Sequence, residues 1–384
     1  MAAFGDLGNP PVPLIAPTEF IDRADYVVME STYGDRLHKK GVDHIPELVR
    51  IAPVRPEPLP FHSQIYVGDV SAPREFLSAP VEESTHDRTR PNLKIKDGCN
   101  NRCSFCIIPS VRGRSRSAPG DRVVEQVRSL AGRYCEVVLS GINLGRWGRD
   151  LPDRPRFASL LRRLLAETPV QRLRLSSIEP MDWTDDLLHL VASEPRIARH
   201  IHAPLQSGSD RILRRMYRRY RARHYAERLR AAHQLLPDAA FGADVLVGFP
   251  GETDADFEET RSLVAGLPFT YLHVFTYSAR PSTVAAELPG QISPEVKRER
   301  NRFLRELAAR KGHRFRESLI GRKVSVVTLG EERPQGTTAL SDNYVRVWIE
   351  GERLPANRIV EVTASSVLGD ALVGRTGSAA PVTR

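Results

Sequence analysis

The sequence predicts an α/β protein whose strands run parallel, in an open partial barrel or a doubly wound sheet, followed by a small all-β barrel. Three observations carry that prediction. Short apolar strand candidates alternate with helical stretches from Pro91 to about residue 278. After Gly321 the helical period gives way to alternation with period two. The 384 residues are 41% hydrophobic and 27% charged, which is enough apolar material to close a core and excludes disorder as the main state.

Taken in order, the first ninety residues read poorly as one folded unit. Pro10, Pro11, Pro13 and Pro17 interrupt the first part, and Pro53, Pro56, Pro58 and Pro60 the second. Proline at that density removes backbone donors and favours loops. Between them Tyr26-Val27-Val28-Met29 reads as one short buried strand. From Pro91 strands are expected at 93–98, 136–142, 172–178, 202–206, 242–248 and 271–278. Helices are expected at about 121–133, 157–167, 184–193, 222–236 and 254–265. Alternation of this kind implies parallel strands with right-handed crossovers, and six units are too few for a complete eightfold barrel. A long basic helix is expected at 293–317, opened by Ser293-Pro294-Glu295 as cap, first-turn proline and first-turn acid. Then Val324–Val327, Tyr344–Trp348 and Arg358–Val362 alternate between Gly and Asn turns, as in a β barrel of about 60 residues. The Gly/Ser/Ala-rich tail after residue 376 is expected to fray.

Charge is uneven. Lys and Arg number 56 against 47 Asp and Glu, a formal +9. Residues 1–50 hold eight acids and five bases, so the other 334 carry +12, mostly as arginine. Arginine suits bidentate phosphate contacts and points to nucleic acid, although a solvated arginine-rich surface gives the same count. No apolar run approaches the roughly 18 residues of a membrane helix, and no signal pattern opens the chain, so a cytoplasmic location without a membrane partner is expected. Four cysteines are too few for a secreted disulfide framework.

Three of those cysteines form Cys99-Asn-Asn-Arg-Cys103-Ser-Phe-Cys106, directly after the first strand of the α/β series. Thiolates at this spacing suit an iron–sulfur cluster or zinc. Structural zinc takes four protein ligands, and this loop offers three thiols and no histidine. A cubane on three thiolates keeps one iron open for a further ligand. Cys135, at the start of an apolar strand, reads as a small buried hydrophobe.

The three-cysteine motif with Phe105 resembles that of the radical S-adenosylmethionine (radical SAM) enzymes. Lys94-Ile-Lys-Asp-Gly98-Cys99, Ile107-Ile-Pro109 and Arg112-Gly-Arg114-Ser-Arg116-Ser117 narrow the resemblance to methylthiotransferases. So do Leu139-Ser-Gly-Ile-Asn143-Leu-Gly-Arg146, Arg174-Leu-Ser-Ser-Ile-Glu-Pro180, His202-Ala-Pro-Leu-Gln-Ser-Gly-Ser-Asp210 and Gly248-Phe-Pro-Gly-Glu-Thr253. Within that branch the words look most like the enzymes acting on threonylcarbamoyladenosine in tRNA. The C-terminal β segment is similar to the family's small RNA-binding barrel, called TRAM.

The resemblance implies a partial (β/α)6 radical-SAM barrel at 91–318, a TRAM-like barrel at 319–376 and a flexible tail at 377–384. It implies one 4Fe–4S cluster on Cys99, Cys103 and Cys106, which are both metal ligands and catalytic, with S-adenosylmethionine on the open iron. An electron from the cluster cleaves the sulfonium, and the resulting deoxyadenosyl radical abstracts hydrogen from the target. The cofactor pocket would lie at the C-terminal strand ends, with Gly141 and Asn143 near the methionine amino group. Ser177 and Glu179 would face the ribose, Gln206 and Ser207 would line the pocket, and Gly248 and Glu252 would approach the adenine, which Phe275 to Ser278 close off. Arg112, Arg114, Arg214, Arg215 and Arg218 are the candidate RNA contacts. The last three belong to a stretch, 211–230, with nine arginines, one acid and Tyr217, Tyr220 and Tyr225 interleaved; an amphipathic core helix with a basic outer face reads the same way. The implied partners are tRNA, an external electron donor and a sulfur donor that the sequence leaves unspecified.

The sequence also departs from that family. Methylthiotransferases carry a second, three-cysteine cluster in an N-terminal domain, whereas residues 1–98 contain no cysteine. Phe4-Gly-Asp6-Leu-Gly-Asn-Pro10 and Asp25–His38 resemble a piece of an RNA-processing metallo-β-lactamase hydrolase, with Asp6 a metal-bridging aspartate and Glu30 in a neighbouring motif. The fragment lacks the His-x-His-x-Asp-His cluster, so no hydrolase activity is expected. Residues 1–50 are thus read as that fragment, and 51–90 as a remnant of the methylthiotransferase N-terminal domain or a linker. Two further readings stand beside the enzyme. One is a protein that holds cluster and S-adenosylmethionine without inserting sulfur, and the other is a tRNA-binding protein without chemistry.

Overall fold

A computed structural model describes residues 2–4, 27–29, 76, 89–331 and 335–377. The chain divides into two units, 1–68 and 69–384, each described by itself. In the first, β1 (Ala2–Phe4) pairs in parallel with β2 (Val27–Met29), the latter where a strand is expected. Asp6, Glu30 and residues 51–75 lie outside the described residues.

The second unit opens with the parallel series. β3 (Asn92–Asp97) pairs with β5 (Glu136–Gly141), which pairs with β6 (Arg172–Leu175), all in parallel. β7 (His200–His202), β8 (Ala240–Val247) and β9 (Tyr271–Thr276) continue in the same sense. A parallel bridge from Leu173 to Ile197 joins the two groups. A two-residue strand, β4 (Arg116–Ser117), runs antiparallel on the outer edge of β3. Among the described residues β4 and β9 each pair on one side only, so the six parallel strands stop short of closure and the partial barrel is open.

Between strands run α2 (Gly120–Ala131), α3 (Phe157–Glu167), α4 (Asp185–Ser193), α6 (Ala222–Leu235) and α7 (Asp254–Gly266), within two residues of their expected bounds. Two short helices, α1 (Ile108–Arg112) and α5 (Asp210–Arg215), have no counterpart in the sequence reading. Each is too brief to show a helical period. Thr184 caps α4 by accepting from Leu187 N–H, and Thr253 forms a reciprocal capping box with Asp256 on α7.

Period-two alternation splits each strand between two environments. One face is apolar and fully buried: Leu93, Ile95, Val137, Leu139, Leu173, Phe241, Ala243, Val245 and Val247 form the core with Val123 and Val127 of α2 and Leu160, Leu161 and Leu164 of α3. The other face is polar, with Lys96, Glu136, Arg172, Arg174, His200 and His202 buried on it. The helix α8 (Pro294–Glu317), capped by Ser293, packs on β9, where Asn301 Nδ2 donates to Val274 O at 2.9 Å. Gly312 permits that approach, since a Cβ there would stand 2.6 Å from Thr270 O.

The C-terminal segment is a closed five-stranded barrel in the order β10-β11-β12-β14-β13. Its strands are β10 (Lys323–Thr328), β11 (Gly336–Ser341), β12 (Arg346–Glu350), β13 (Ile359–Leu368) and β14 (Ala371–Thr376). Three were expected. β11 and β14 each contain a glycine and no aromatic residue, and long-range pairing makes them strands. Gly374 lets β14 approach β13, because a Cβ would meet Thr363 O at 2.5 Å. Tyr344 belongs to a turn, with φ 63°, and not to β12. It stacks on His200 at 4.4 Å between ring centroids.

This barrel docks at the N-terminal ends of the parallel strands. Arg174 donates to Ser341 O at 2.9 Å and Asp342 O at 3.1 Å, and Asn357 Oδ1 accepts from Cys135 N at 2.8 Å. Among the described residues no helix is long and apolar enough to cross a membrane.

Candidate active site

The cysteine loop leaves the C-terminal end of β3 through Gly98, whose φ is 63°. A Cβ at this position would lie 2.0 Å from Arg114 O, so only glycine fits. Asp97 accepts from Gly98 N at 2.8 Å and pairs with Lys94 at 3.1 Å. The loop is tied to three distant segments. Cys99 N donates to Gly113 O at 3.1 Å, Ser104 N to Met216 O at 3.1 Å, and Ala285 N to Ser104 O at 2.8 Å. Phe105 sits edge-on to Phe249 at 6.5 Å, beside Ile212, Met216, Tyr277 and Ala285. The residues between the cysteines therefore build the loop's anchors.

Cys99, Cys103 and Cys106 are free and half-buried. Burial pushes the Cys103 and Cys106 thiols up, so ligation requires a metal strong enough to displace their protons. Structural zinc takes four protein ligands, so the set of three thiols fits an iron–sulfur cluster better than structural zinc.

Arg218 is the neighbour that the sequence placed elsewhere. Its side chain is 5% exposed and paired with Glu179. Nη1 donates to Cys103 Sγ at 3.4 Å, and Nε to the Tyr220 hydroxyl at 3.2 Å. Buried there, it does not belong to an outward RNA-binding face. Burial raises the Glu179 carboxyl, and Arg218 only partly offsets that. Arg146 donates to Asn101 Oδ1 at 2.9 Å and to Asp182 at 3.0 Å, which braces the loop from the other side. Lys96, buried on the polar strand face, donates to Ser115 Oγ at 2.5 Å.

The expected cofactor residues differ in what they leave free. Gly141 permits close strand packing, since a Cβ would meet Lys96 O at 2.8 Å. Asn143 is left-handed, with φ 56°, and its Oδ1 is buried without a hydrogen-bond partner. That orphan acceptor stands just beyond β5 and fits an ammonium donor such as the methionine end of S-adenosylmethionine. Ser177 and Gln206 are half-buried past the ends of β6 and β7, Gln206 with φ 64°. Ser207 is spent within the fold, accepting from Ser209 N at 3.2 Å beside Thr260. Glu252 is likewise occupied, accepting from Gly248 N and from Arg300 Nη1, each at 2.6 Å. Gly248 has φ 72° and leaves room for Lys297.

Arg112, Arg114 and Arg214 are exposed and Arg215 is half-buried. Of the three tyrosines in 211–230, Tyr220 and Tyr225 are core residues that donate to Leu205 O and Ala203 O, each at 2.8 Å. Tyr217 is 53% exposed, with φ 59°. A group that the sequence reading passed over is His202, Asp244 and His273 on β7, β8 and β9. The alternation on each strand marks these residues as polar, but nothing in the sequence brings the three together.

Residues 93–264 match the radical SAM superfamily model. The chain is 38% identical over 289 residues to the threonylcarbamoyladenosine tRNA methylthiotransferase of Rickettsia prowazekii, covering 75% of this chain and 67% of that protein. It is 38% identical over 304 residues to the protein of that name from Bacillus subtilis, covering 77% and 66%. To the tRNA-2-methylthio-N(6)-dimethylallyladenosine synthase of Moorella thermoacetica it is 33% identical over 346 residues, covering 88% and 76%. The chain thus spans about two thirds of the first two relatives. Among solved structures, the radical S-adenosylmethionine methyltransferase TsrM of Kitasatospora setae aligns over 51% of this chain and 38% of its own, with 19% identity and a TM-score of 0.43. By its strand series, its cysteine loop and these relatives, the chain belongs to the radical SAM tRNA methylthiotransferase family.

Proposed function

We propose that this protein adds a methylthio group to a modified adenosine beside the anticodon of tRNA, that adenosine being the threonylcarbamoyl kind. Cys99, Cys103 and Cys106 would hold one 4Fe–4S cluster, with S-adenosylmethionine on its open iron. When bound, this pair supplies the reductive, hydrogen-abstracting chemistry. The chain's own residues position and shield it. Arg218, a buried cation beside Cys103 that also pairs with Glu179, would hold the carboxylate end of S-adenosylmethionine, and Asn143 Oδ1 would accept from its ammonium. Phe105, Phe249 and Tyr277 exclude water from the anchored side of the loop. Arg112, Arg114 and Arg214 offer phosphate contacts near the same strand ends, with Tyr217 among them as a stacking surface. The observation that carries the proposal is the three-thiol loop held at the strand ends with a buried guanidinium on one sulfur.

A second reading is favoured by the cysteine inventory. Residues 1–98 contain none, and Cys135 is buried, its thiol 3.1 Å from Asn357 O. This chain then shows one thiolate set, and sulfur for the product comes from outside it or is not inserted. Mass spectrometry of tRNA nucleosides from a deletion strain complemented with this chain decides between the readings. The methylthio product supports the first. Deoxyadenosine formed in vitro without that product supports the second.

A further inference from the structure

The polar face of the parallel array carries more than the cysteine loop uses. His202 Nε2 and His273 Nδ1 each stand 3.2 Å from Asp244 Oδ1. His202 Nδ1 lies 2.8 Å from the Tyr271 hydroxyl, which lies 2.7 Å from His200 Nε2. The Tyr271 contact orients the His202 ring with Nε2 toward Asp244. Gly242 makes room for that tyrosine, since a Cβ would fall 1.9 Å from its ring. Burial opposes ionisation of Asp244, and hydrogen bonds from His202 and His273 outweigh it, so the carboxyl is held well below its usual range.

The cluster is partly open. The Asp244 side chain is 25% exposed and that of His273 51%. Phe275, two residues along β9 on the same face, is also exposed. Asp244 lies three residues before the end of β8, roughly 10 Å beneath the strand end at about 3.3 Å per residue. A base whose reacting edge meets the cofactor at the strand ends would point a substituent down toward it.

We infer that His202, Asp244 and His273 recognise the N6 substituent of the substrate adenosine, selecting one that carries hydrogen-bonding groups over an apolar one. The inference rests on the methylthiotransferase reading above. A threonylcarbamoyl group offers N–H and hydroxyl donors to Asp244 and an oxygen acceptor to His273 Nε2, the ring nitrogen that takes no part in the Asp244 contact, with its own carboxylate turned away from Asp244. A dimethylallyl group would strip water from an ionised carboxylate and return nothing, and polar sites reject such analogues strongly.

The test uses the full chain reconstituted with its cluster. Fluorescence anisotropy measures its binding to three anticodon stem-loops that differ only in one adenosine: threonylcarbamoyl, dimethylallyl or unmodified. The wild type should prefer the threonylcarbamoyl loop over the dimethylallyl loop by at least about tenfold. Asp244→Asn and His273→Ala should each reduce that preference to within about threefold. Their affinity for the unmodified loop should not change, and each should still unfold in one cooperative transition, Asp244→Asn at a lower midpoint because it loses the charge that His202 and His273 hold ionised. Asp244→Asn is nearly isosteric and His273 is half-exposed, so both should fold. Equal wild-type affinity for all three loops overturns the inference and leaves the tRNA reading standing. Variants that keep the full preference overturn it too. Tight Zn2+ uptake by the wild type, abolished by Asp244→Asn, would assign the cluster to a metal and also overturn it. Binding to none of the loops would remove the tRNA reading and the inference together.

Discussion

Glu136→Gln tests what joins the β barrel to the parallel strands. The Glu136 side chain is fully buried and accepts from Arg174 Nε at 2.8 Å and Nη2 at 3.1 Å. Arg90 Nη1 at 3.3 Å and Arg172 Nη1 at 3.6 Å share the same carboxylate. Arg172 and Arg174 in turn reach Ser325 Oγ at 2.5 Å and Ser341 O at 2.9 Å in the β barrel. Glutamine keeps the volume and removes the charge, leaving two buried guanidinium groups without a counter-ion. Breaking a buried pair costs about 3–5 kcal/mol. At roughly 2–4 °C per kcal/mol for a unit of this size, the midpoint should fall by about 6–20 °C. The dependence on pH gives a second check. Burial raises the Glu136 carboxyl, and the arginines, Arg174 first, outweigh burial and hold it below its usual 4.5. Its contribution is therefore present above the unfolded value and fades as pH falls through the lower folded one. The gap between wild type and variant, read by circular dichroism melts, should be constant from about pH 6 to 8 and narrow below about pH 4.5. A variant within about 2 °C of wild type at pH 7, less than about 1 kcal/mol, or a gap that widens in acid, would refute this reasoning.

Two further outcomes follow from the loop geometry. Gly98→Ala combines φ 63° with a Cβ 2.0 Å from Arg114 O, and should cost at least about 1–3 kcal/mol by urea denaturation, an unchanged midpoint arguing against the strain. Arg218→Met should keep iron but weaken S-adenosylmethionine binding at least about tenfold by calorimetry, since a charge-assisted hydrogen bond contributes about 1.5–3 kcal/mol. Affinity within twofold of wild type would remove Arg218 from the cofactor site.

Much of the fold was legible because its elements are locally written. The six longer helices and five of the six parallel strands follow from period and from signals such as the Ser293 cap, which act within a few residues, whereas the strand expected at 202–206 forms at His200–His202. β11 and β14 were not legible, because Thr337, Thr338 and Gly374 become strand residues only through partners brought from a distance. The cysteine loop was legible from spacing alone. Arg218 was not: in a run of arginines it reads as a phosphate contact, and only the left-handed turn at Tyr217 shows that the chain folds it inward to Cys103. His202, Asp244 and His273 come from three strands, and sequence spacing carries no trace of their meeting.

The central claim is that three thiols of one loop hold an iron–sulfur cluster with an open iron. Oxygen-free reconstitution followed by iron, sulfide and zinc analysis tests it most directly. About four irons and four sulfides per chain are predicted, with both lost in Cys103→Ala. A colourless protein, or one that retains zinc instead, would contradict the account.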